Sequence, residues 1–262
     1  MFGVQDGRRA NPDMTEPDTE ARVAQSQWLD SLDDSEALRV MLASQAGAAR
    51  AVEAALLPIA AAVEAMTARL VMNDSARIIY AGAGTSIRVA VQDGVELRPT
   101  FDWPSGRVAY LVAGGHGALM SAVENAEDDV EAARDRVREL ELGPSDILIA
   151  LSASGGTPFT CAAVDLAAKT GALTVGIANN DGSPLLAKAE IAISILTGAE
   201  AVAGSTRLKA ATAQKICLNM ISTLVMTRLG YVRDGQMIAM KPSNAKLRAR
   251  YDRIHGDGED AN

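Results

Sequence analysis

The stretch that most constrains this chain is residues 147–158, where an apolar, β-branched run of strand length breaks off into small hydroxyl and glycine residues. Ile147-Leu-Ile-Ala-Leu151 gives way to Ser152-Ala-Ser-Gly-Gly-Thr157. Pro158 then opens a helical pattern that continues from Phe159 to Lys169. A strand, a tight loop and a helix start in succession make a cradle for an anion. Unpaired helix-start amides and the macrodipole favour a phosphate, and Ser152, Ser154 and Thr157 add hydroxyl donors. Gly155 and Gly156 let the backbone approach a ligand closely. No lysine follows the glycines, so the loop is not a P-loop, and a small phosphorylated metabolite fits it better than a nucleoside triphosphate. Read alone, the same loop would also serve as a plain polar connection.

The rest of the chain repeats the design. Residues 1–18 are polar and carry two prolines, which predicts a disordered arm. Residues 19–72 form an N-terminal helical segment, broken into two at Pro58. From 73 to 254 strands alternate with helices: strands at 77–81, 107–112, 147–152, 173–178 and 190–195, helices between them and a long last helix ending near Leu229. That alternation predicts an α/β fold, a doubly wound parallel sheet flanked by helices. Residues 255–262 read as a flexible tail. Locally, the sequence predicts Thr85 as the cap of the helix carrying Arg88, Asp93 and Glu96, with Pro99 ending it. It also predicts a helix from Ala118 after Gly114-Gly115, and Ser205 or Thr206 capping the last helix.

Charge and composition narrow the function. Across 262 residues the net charge is −8 and no Lys/Arg cluster stands out, which excludes nucleic acid as the expected partner. Two histidines without ligand spacing predict no metal site, and Cys161 and Cys217 sit in apolar helical patterns as small hydrophobes. Gly82-Ala-Gly-Thr-Ser86 is a lone GxG whose third glycine position is Ile87, so a dinucleotide site is rejected and no cofactor is expected. No apolar run reaches membrane-spanning length and no signal-peptide core precedes the domain, which predicts a cytoplasmic protein.

Three Gly/Ser/Thr-rich helix starts, at 82–86, 154–157 and 204–206, would meet at the carboxyl ends of the strands, with Lys209 near the last of them. Together they point to a polyhydroxylated, phosphorylated ligand. The loop Ser152-Ala-Ser-Gly-Gly-Thr157 resembles the phosphosugar-binding loop of sugar-isomerase (SIS) domains. A closer resemblance, in order from about Thr19 to Arg250, is to the N-acetylmuramic acid 6-phosphate etherases. It is carried by Gly82-Ala-Gly-Thr-Ser-Ile-Arg88, Asp93-Gly-Val-Glu-Leu-Arg-Pro-Thr-Phe101, Ala113-Gly-Gly115 and Val123-Glu-Asn-Ala-Glu-Asp-Asp129. Gly204-Ser-Thr-Arg-Leu-Lys-Ala-Ala-Thr-Ala-Gln-Lys215 and Asn244-Ala-Lys-Leu-Arg248 extend it. Glucokinase regulatory proteins, which bind sugar phosphates without turning them over, share much of the pattern.

The resemblance implies a SIS-type, flavodoxin-like sandwich acting as a homodimer, and a lyase that expels D-lactate from a 6-phosphorylated amino sugar. It assigns Glu96 as the acid for the leaving lactyl oxygen and Glu127 as the base at C2. From the residues alone Glu96 is an exposed helix-end acid and Glu127 one acid among many. Two carboxylates sharing one partly buried site would be pushed apart in pKa, which would divide the labour between them. The resemblance gives the phosphate to Ser154, Thr157 and Ser152, the sugar to Thr85 and Ser86, and secondary roles to Ser205 and Lys209. Ile87 replaces a family glycine and is expected to narrow the sugar pocket, and Gly156 replaces a family arginine. The chain also stops short of a C-terminal helical domain usual in the family. Two other readings stay open: a non-catalytic phosphosugar sensor, or a paralogue acting on another 6-phosphosugar. An aldose–ketose isomerase is disfavoured, because no histidine stands in these loops to relay a proton to C1.

Overall fold

The computed structural model describes residues 17–239; most of the N-terminal arm, the tail and the Asn244-Ala-Lys-Leu-Arg248 match lie outside the described residues. In chain order the elements are α1 (Asp34–Glu53), α2 (Leu56–Met72), β1 (Ile78–Gly82), α3 (Gly84–Phe101) and β2 (Val108–Val112). They continue with α4 (Val130–Glu139), β3 (Ile147–Ser152), α5 (Pro158–Lys169), β4 (Leu173–Ala178), α6 (Pro184–Lys188), β5 (Ile191–Ser194) and α7 (Lys209–Arg228). A two-residue-strand hairpin, β6 (Val232–Arg233) and β7 (Gln236–Met237), closes the described chain.

The sheet runs β2-β1-β3-β4-β5 and all its pairings are parallel. Its two faces follow from strand alternation. Ile78, Tyr80, Ile147, Ile149, Leu151, Val175 and Ile177 pack into one core with α1, α2, α3 and α7. Ile79, Ala81, Leu111, Leu148 and Ala150 pack into the other with α4, α5 and α6. Small side chains let the helices close on the sheet: Ala62, Ala163, Ala167 and Ala213 are all fully buried. Strand order reverses between β1 and β3, and in open α/β sheets ligands settle at the carboxyl ends around such a reversal. The doubly wound parallel sheet with an N-terminal helical segment expected from the sequence is the one observed.

Four local expectations were corrected. Helix α3 starts from Ala83 in an extended conformation, so Thr85 lies in its first turn and caps nothing. Pro99 lies inside α3, which runs on to Phe101 and ends at a left-handed Asp102. The cost is one missing backbone bond, the one the carbonyl of half-exposed Val95 would accept. After Gly114-Gly115 the chain makes a short three-ten turn, His116–Leu119, rather than an α-helix. The Arg88 guanidinium takes the carbonyls of Ala118 and Leu119 at 2.8 and 3.2 Å, oxygens a helix would have needed. The start of α7 is capped by neither Ser205 nor Thr206: both oxygens of the fully buried Glu200 accept its first amides, Lys209 N and Ala210 N, at 3.0 and 2.8 Å.

Candidate active site

A cleft of about 540 Å³ opens at the carboxyl edge of the sheet. One wall is Glu127 and Asp128, on the three-ten turn Ala126–Asp128. Its floor is the β3–α5 loop, with Ser154, Gly156, Thr157 and Pro158; the turn after β4, residues 180–184, forms a further side, and Pro17 and Asp18 join from the N-terminal segment. No lysine or arginine is among these lining residues. A bound phosphate would therefore rest on hydroxyls and on the amide end of α5, which Pro158 begins.

The loop is held in shape by its own hydroxyls. Ser152 is buried beneath it, with Oγ 2.9 Å from Thr157 Oγ1 and 3.3 Å from Ser154 Oγ. Gly155 N donates to Ser152 Oγ at 3.0 Å, and Gly156 N donates to Ser154 Oγ at 3.2 Å. Gly155 has φ +70°, a conformation that L side chains avoid. Ser183 sits directly against it: a Cβ on Gly155 would lie 2.1 Å from Ser183 Oγ. That hydroxyl is buried without a hydrogen-bond partner, on a residue that lines the cleft.

Of the residues expected from sequence, this cleft brings together Glu127, Ser154 and Thr157, with Ser152 directly under the loop. Thr85, Ser86, Glu96, Ser205 and Lys209 are not among its lining residues. Ser86 is buried at the first turn of α3. Glu96 stands on the exposed side of α3, and Glu127 is exposed too, so one chain does not enclose the two acids in a partly buried pair. Ile87 belongs to the core with α1, α2 and α7, so it does not narrow this cleft. Lys209 is drawn elsewhere: its Nζ donates to Ala199 O at 2.8 Å, and it lines a separate cleft with Val23, Arg39, Val40 and Ser44. Asp18, Asn180 and Ser183 were not anticipated. Asn, Asp, Gly and Ser in succession read as an ordinary turn, and nothing in their spacing marks a site.

Beside the site, α3 is locked to the core by a buried carboxylate. Asp93 accepts hydrogen bonds from Asn219 Nδ2 at 2.7 Å, Ser222 Oγ at 3.1 Å and Tyr80 OH at 3.2 Å. Burial pushes its pKa above the usual carboxylate value, against the pull of those three donors and of Lys215. A raised pKa in the folded state means that the neutral acid suits the fold. Asp93 thus contributes stability below its unfolded value, near 3.9, that is lost as pH rises through the folded value. Asp93→Asn can keep all three partners, with its amide donating to the Tyr80 oxygen. We expect its unfolding free energy to be as high as wild type or higher at pH 7, and flatter with pH above 4, in urea titrations. Asp93→Leu strands the buried Tyr80 hydroxyl at about 1–3 kcal/mol and leaves Ser222 Oγ only its 3.4 Å hydrogen bond to Asn219 O.

The chain matches two family models: "Glucokinase regulatory protein N-terminal SIS domain" over residues 59–168 and "SIS domain" over residues 119–224. Among solved structures, a phosphoheptose isomerase from Francisella tularensis aligns with a TM-score of 0.55 at 16% identity, covering 75% of this chain and all of its own. A protein from Escherichia coli CFT073 aligns with a TM-score of 0.56 at 13% identity, covering 78% of this chain and 97% of that one. At those identities the likeness is one of fold. Sequence relatives are much nearer. The N-acetylmuramic acid 6-phosphate etherase of Deinococcus radiodurans is 45% identical over 89% of this chain and 76% of its own length. That of Streptomyces coelicolor is 45% identical over 90% of this chain and 75% of its own. Likeness of that depth over about nine-tenths of the chain makes it a member of the N-acetylmuramic acid 6-phosphate etherase family.

Proposed function

We propose that this protein is a carbon–oxygen lyase that cleaves the D-lactyl ether of N-acetylmuramic acid 6-phosphate. Its products are N-acetylglucosamine 6-phosphate and D-lactate. The observation that carries the reading is the 45% identity to an etherase over 89% of the chain. It is supported by a cleft that places an acid, Glu127, beside a hydroxyl loop and a helix start suited to phosphate. No single helix among the described residues is long and apolar enough to cross a membrane, and the proposal sets the enzyme in the cytoplasm.

In this mechanism Ser154, Thr157 and the first amides of α5 hold the 6-phosphate, with Ser152 fixing the loop from below. The sugar reacts as its open-chain aldehyde. Glu127 removes the C2 proton, which the neighbouring carbonyl acidifies, and the electron pair left on C2 expels the C3 oxygen as lactate. Glu96 protonates that leaving oxygen. Water then adds at C3 of the unsaturated aldehyde and C2 regains a proton, so the sum is substrate plus water giving the two products. The family resemblance also gives Thr85 and Ser86 to the sugar and secondary roles to Ser205 and Lys209, although none of the four lines the cleft within one chain. A homodimer is part of the proposal: exposed Val95 next to Glu96, with Leu38 and Leu42 on α1, supports a second copy covering these faces and completing the site.

A second reading, a phosphosugar sensor without turnover, is favoured by the match to a glucokinase regulatory protein domain and by Gly156 in place of the family's arginine. One experiment separates the two. Purified protein is given N-acetylmuramic acid 6-phosphate, and D-lactate is measured alongside the shift in melting temperature. Stoichiometric lactate is expected. A shift without lactate would leave the sensor standing and overturn the lyase.

A further inference from the structure

We propose that the N-terminal segment from Pro17 to Glu20 is a wall of the phosphosugar site, with Thr19 and Asn180 as the positioning residues that hold it against the phosphate loop. The inference rests on the phosphosugar reading of the cleft and adds to it a segment that precedes both matched family domains. Thr19 is fully buried although it lies at the very start of the described chain. Its N–H donates to Asn180 Oδ1 at 3.3 Å, and its hydroxyl accepts from Asn180 Nδ2 at 3.0 Å. The other hydrogen of that amide goes to Ala153 O at 2.8 Å, inside the phosphate loop. One side chain therefore joins the N-terminal segment to the loop, with both amide hydrogens and the carbonyl oxygen engaged.

Two neighbouring contacts extend the tie. Gly204 N donates to Thr19 O at 3.1 Å. Gly204 takes φ +72°, and a Cβ there would lie 2.5 Å from a Glu20 carboxylate oxygen, so the loop after β5 comes right up against the segment. Asn179 faces the other way, donating to Ile195 O at 3.2 Å and accepting from Gln214 Nε2 at 2.9 Å. Adjacent asparagines thus fix the loops after β3, β4 and β5 relative to one another and to residues 17–20. The result is that Pro17 and the exposed carboxylate of Asp18 line the same cleft as Ser154 and Thr157. A carboxylate repels a phosphate but accepts hydrogen bonds from sugar hydroxyls or an amide N–H. The wall accordingly reads the sugar and leaves the phosphate to the loop.

The test compares wild type with Thr19→Val, Thr19→Ser, Asn180→Ala and Asp18→Ala. Lactate release gives kcat and KM, and melting temperature is followed against N-acetylglucosamine 6-phosphate and against inorganic phosphate. Thr19→Val and Asn180→Ala are expected to raise KM about tenfold with kcat within about threefold, the pattern of lost ground-state binding. Thr19→Ser, which keeps the hydroxyl, should restore the wild-type KM. Asp18→Ala should weaken the sugar phosphate and leave the response to inorganic phosphate unchanged. A lowered melting temperature with wild-type KM in both Thr19→Val and Asn180→Ala would make the tie a fold brace only and overturn the proposal. So would an Asp18→Ala protein that binds the sugar phosphate as wild type does. Should wild type release no lactate, the etherase reading falls separately. The difference between sugar-phosphate and inorganic-phosphate melting shifts across the same variants then decides the wall, by the same criteria.

Discussion

Glu127→Gln is expected to lower the rate of lactate release by about 10²- to 10⁴-fold, the usual contribution of a positioned general base, while leaving KM close to wild type. The amide is nearly the same size as the acid and sits on an exposed turn, so folding is not at risk. In the proposed mechanism phosphate is held by another element, the β3–α5 loop, so ground-state binding is expected to survive the change. The direct check is deuterium exchange at C2 of the product in heavy water, which reports proton removal apart from departure of lactate. Asp128 lines the same cleft one residue away and offers the competing base. If Glu127→Gln keeps its rate and Asp128→Asn loses it, the assignment moves by one residue. Glu96→Gln should behave differently. Its loss should shrink when lactate is replaced by a leaving group of lower pKa, because only a poor leaving group needs the acid.

The second large effect is structural. Gly155→Ala is expected to lose phosphosugar binding together with several kcal/mol of stability. A left-handed conformation costs an L residue about 1–2 kcal/mol. The larger penalty is steric: the new methyl would lie 2.1 Å from Ser183 Oγ and 2.4 Å from Ser183 Cβ. Neither atom ends a long flexible chain, so relief requires the turn after β4 to move off the loop, breaking the Leu185 N–Gly155 O hydrogen bond of 2.9 Å. Ser183→Gly in the Gly155→Ala background removes the closest contacts, leaving Ala178 Cβ at 3.1 Å, and should recover most of the steric part but not the conformational part. Melting temperatures of the single and double variants, with and without N-acetylglucosamine 6-phosphate, separate the two. Equal stability of Gly155→Ala and wild type would show that this packing is loose.

What the sequence disclosed and what it hid follow from the range of the interactions. The strands were legible because Ile147 to Leu151 and Leu173 to Ala178 are buried along their whole length and carry their signal residue by residue. The phosphate loop was legible because strand, hydroxyls, glycines and helix-start proline lie within twelve consecutive residues. The cap of α7 was not, since Glu200 reaches Lys209 across nine residues while Ser205 and Thr206 stood in the customary place. The turn after Gly115 was misread for a similar reason: Arg88, thirty residues upstream of Ala118, takes its carbonyl. Asn180 and Thr19 are 161 residues apart, and no local period could pair them. The division of labour between Glu96 and Glu127 came from resemblance alone, and within one chain the two acids stand on different elements, α3 and the 126–128 turn.

The mutual bonding of Ser152, Ser154 and Thr157 has a thermodynamic consequence. A cradle whose hydroxyls and glycine amides already hold one another does not need to be ordered by its guest. Capture of a phosphate becomes an exchange of partners, in which hydroxyl hydrogens swing from a neighbouring oxygen to an incoming one. Calorimetry of inorganic phosphate binding should therefore show little change in heat capacity, because almost no apolar surface changes hands. Ser152→Ala should show the reverse of what its depth suggests. The variant loses no direct hold on the anion, yet it leaves Thr157 and the Gly155 amide without their common anchor, so the penalty should fall on the entropy of binding and grow as temperature rises.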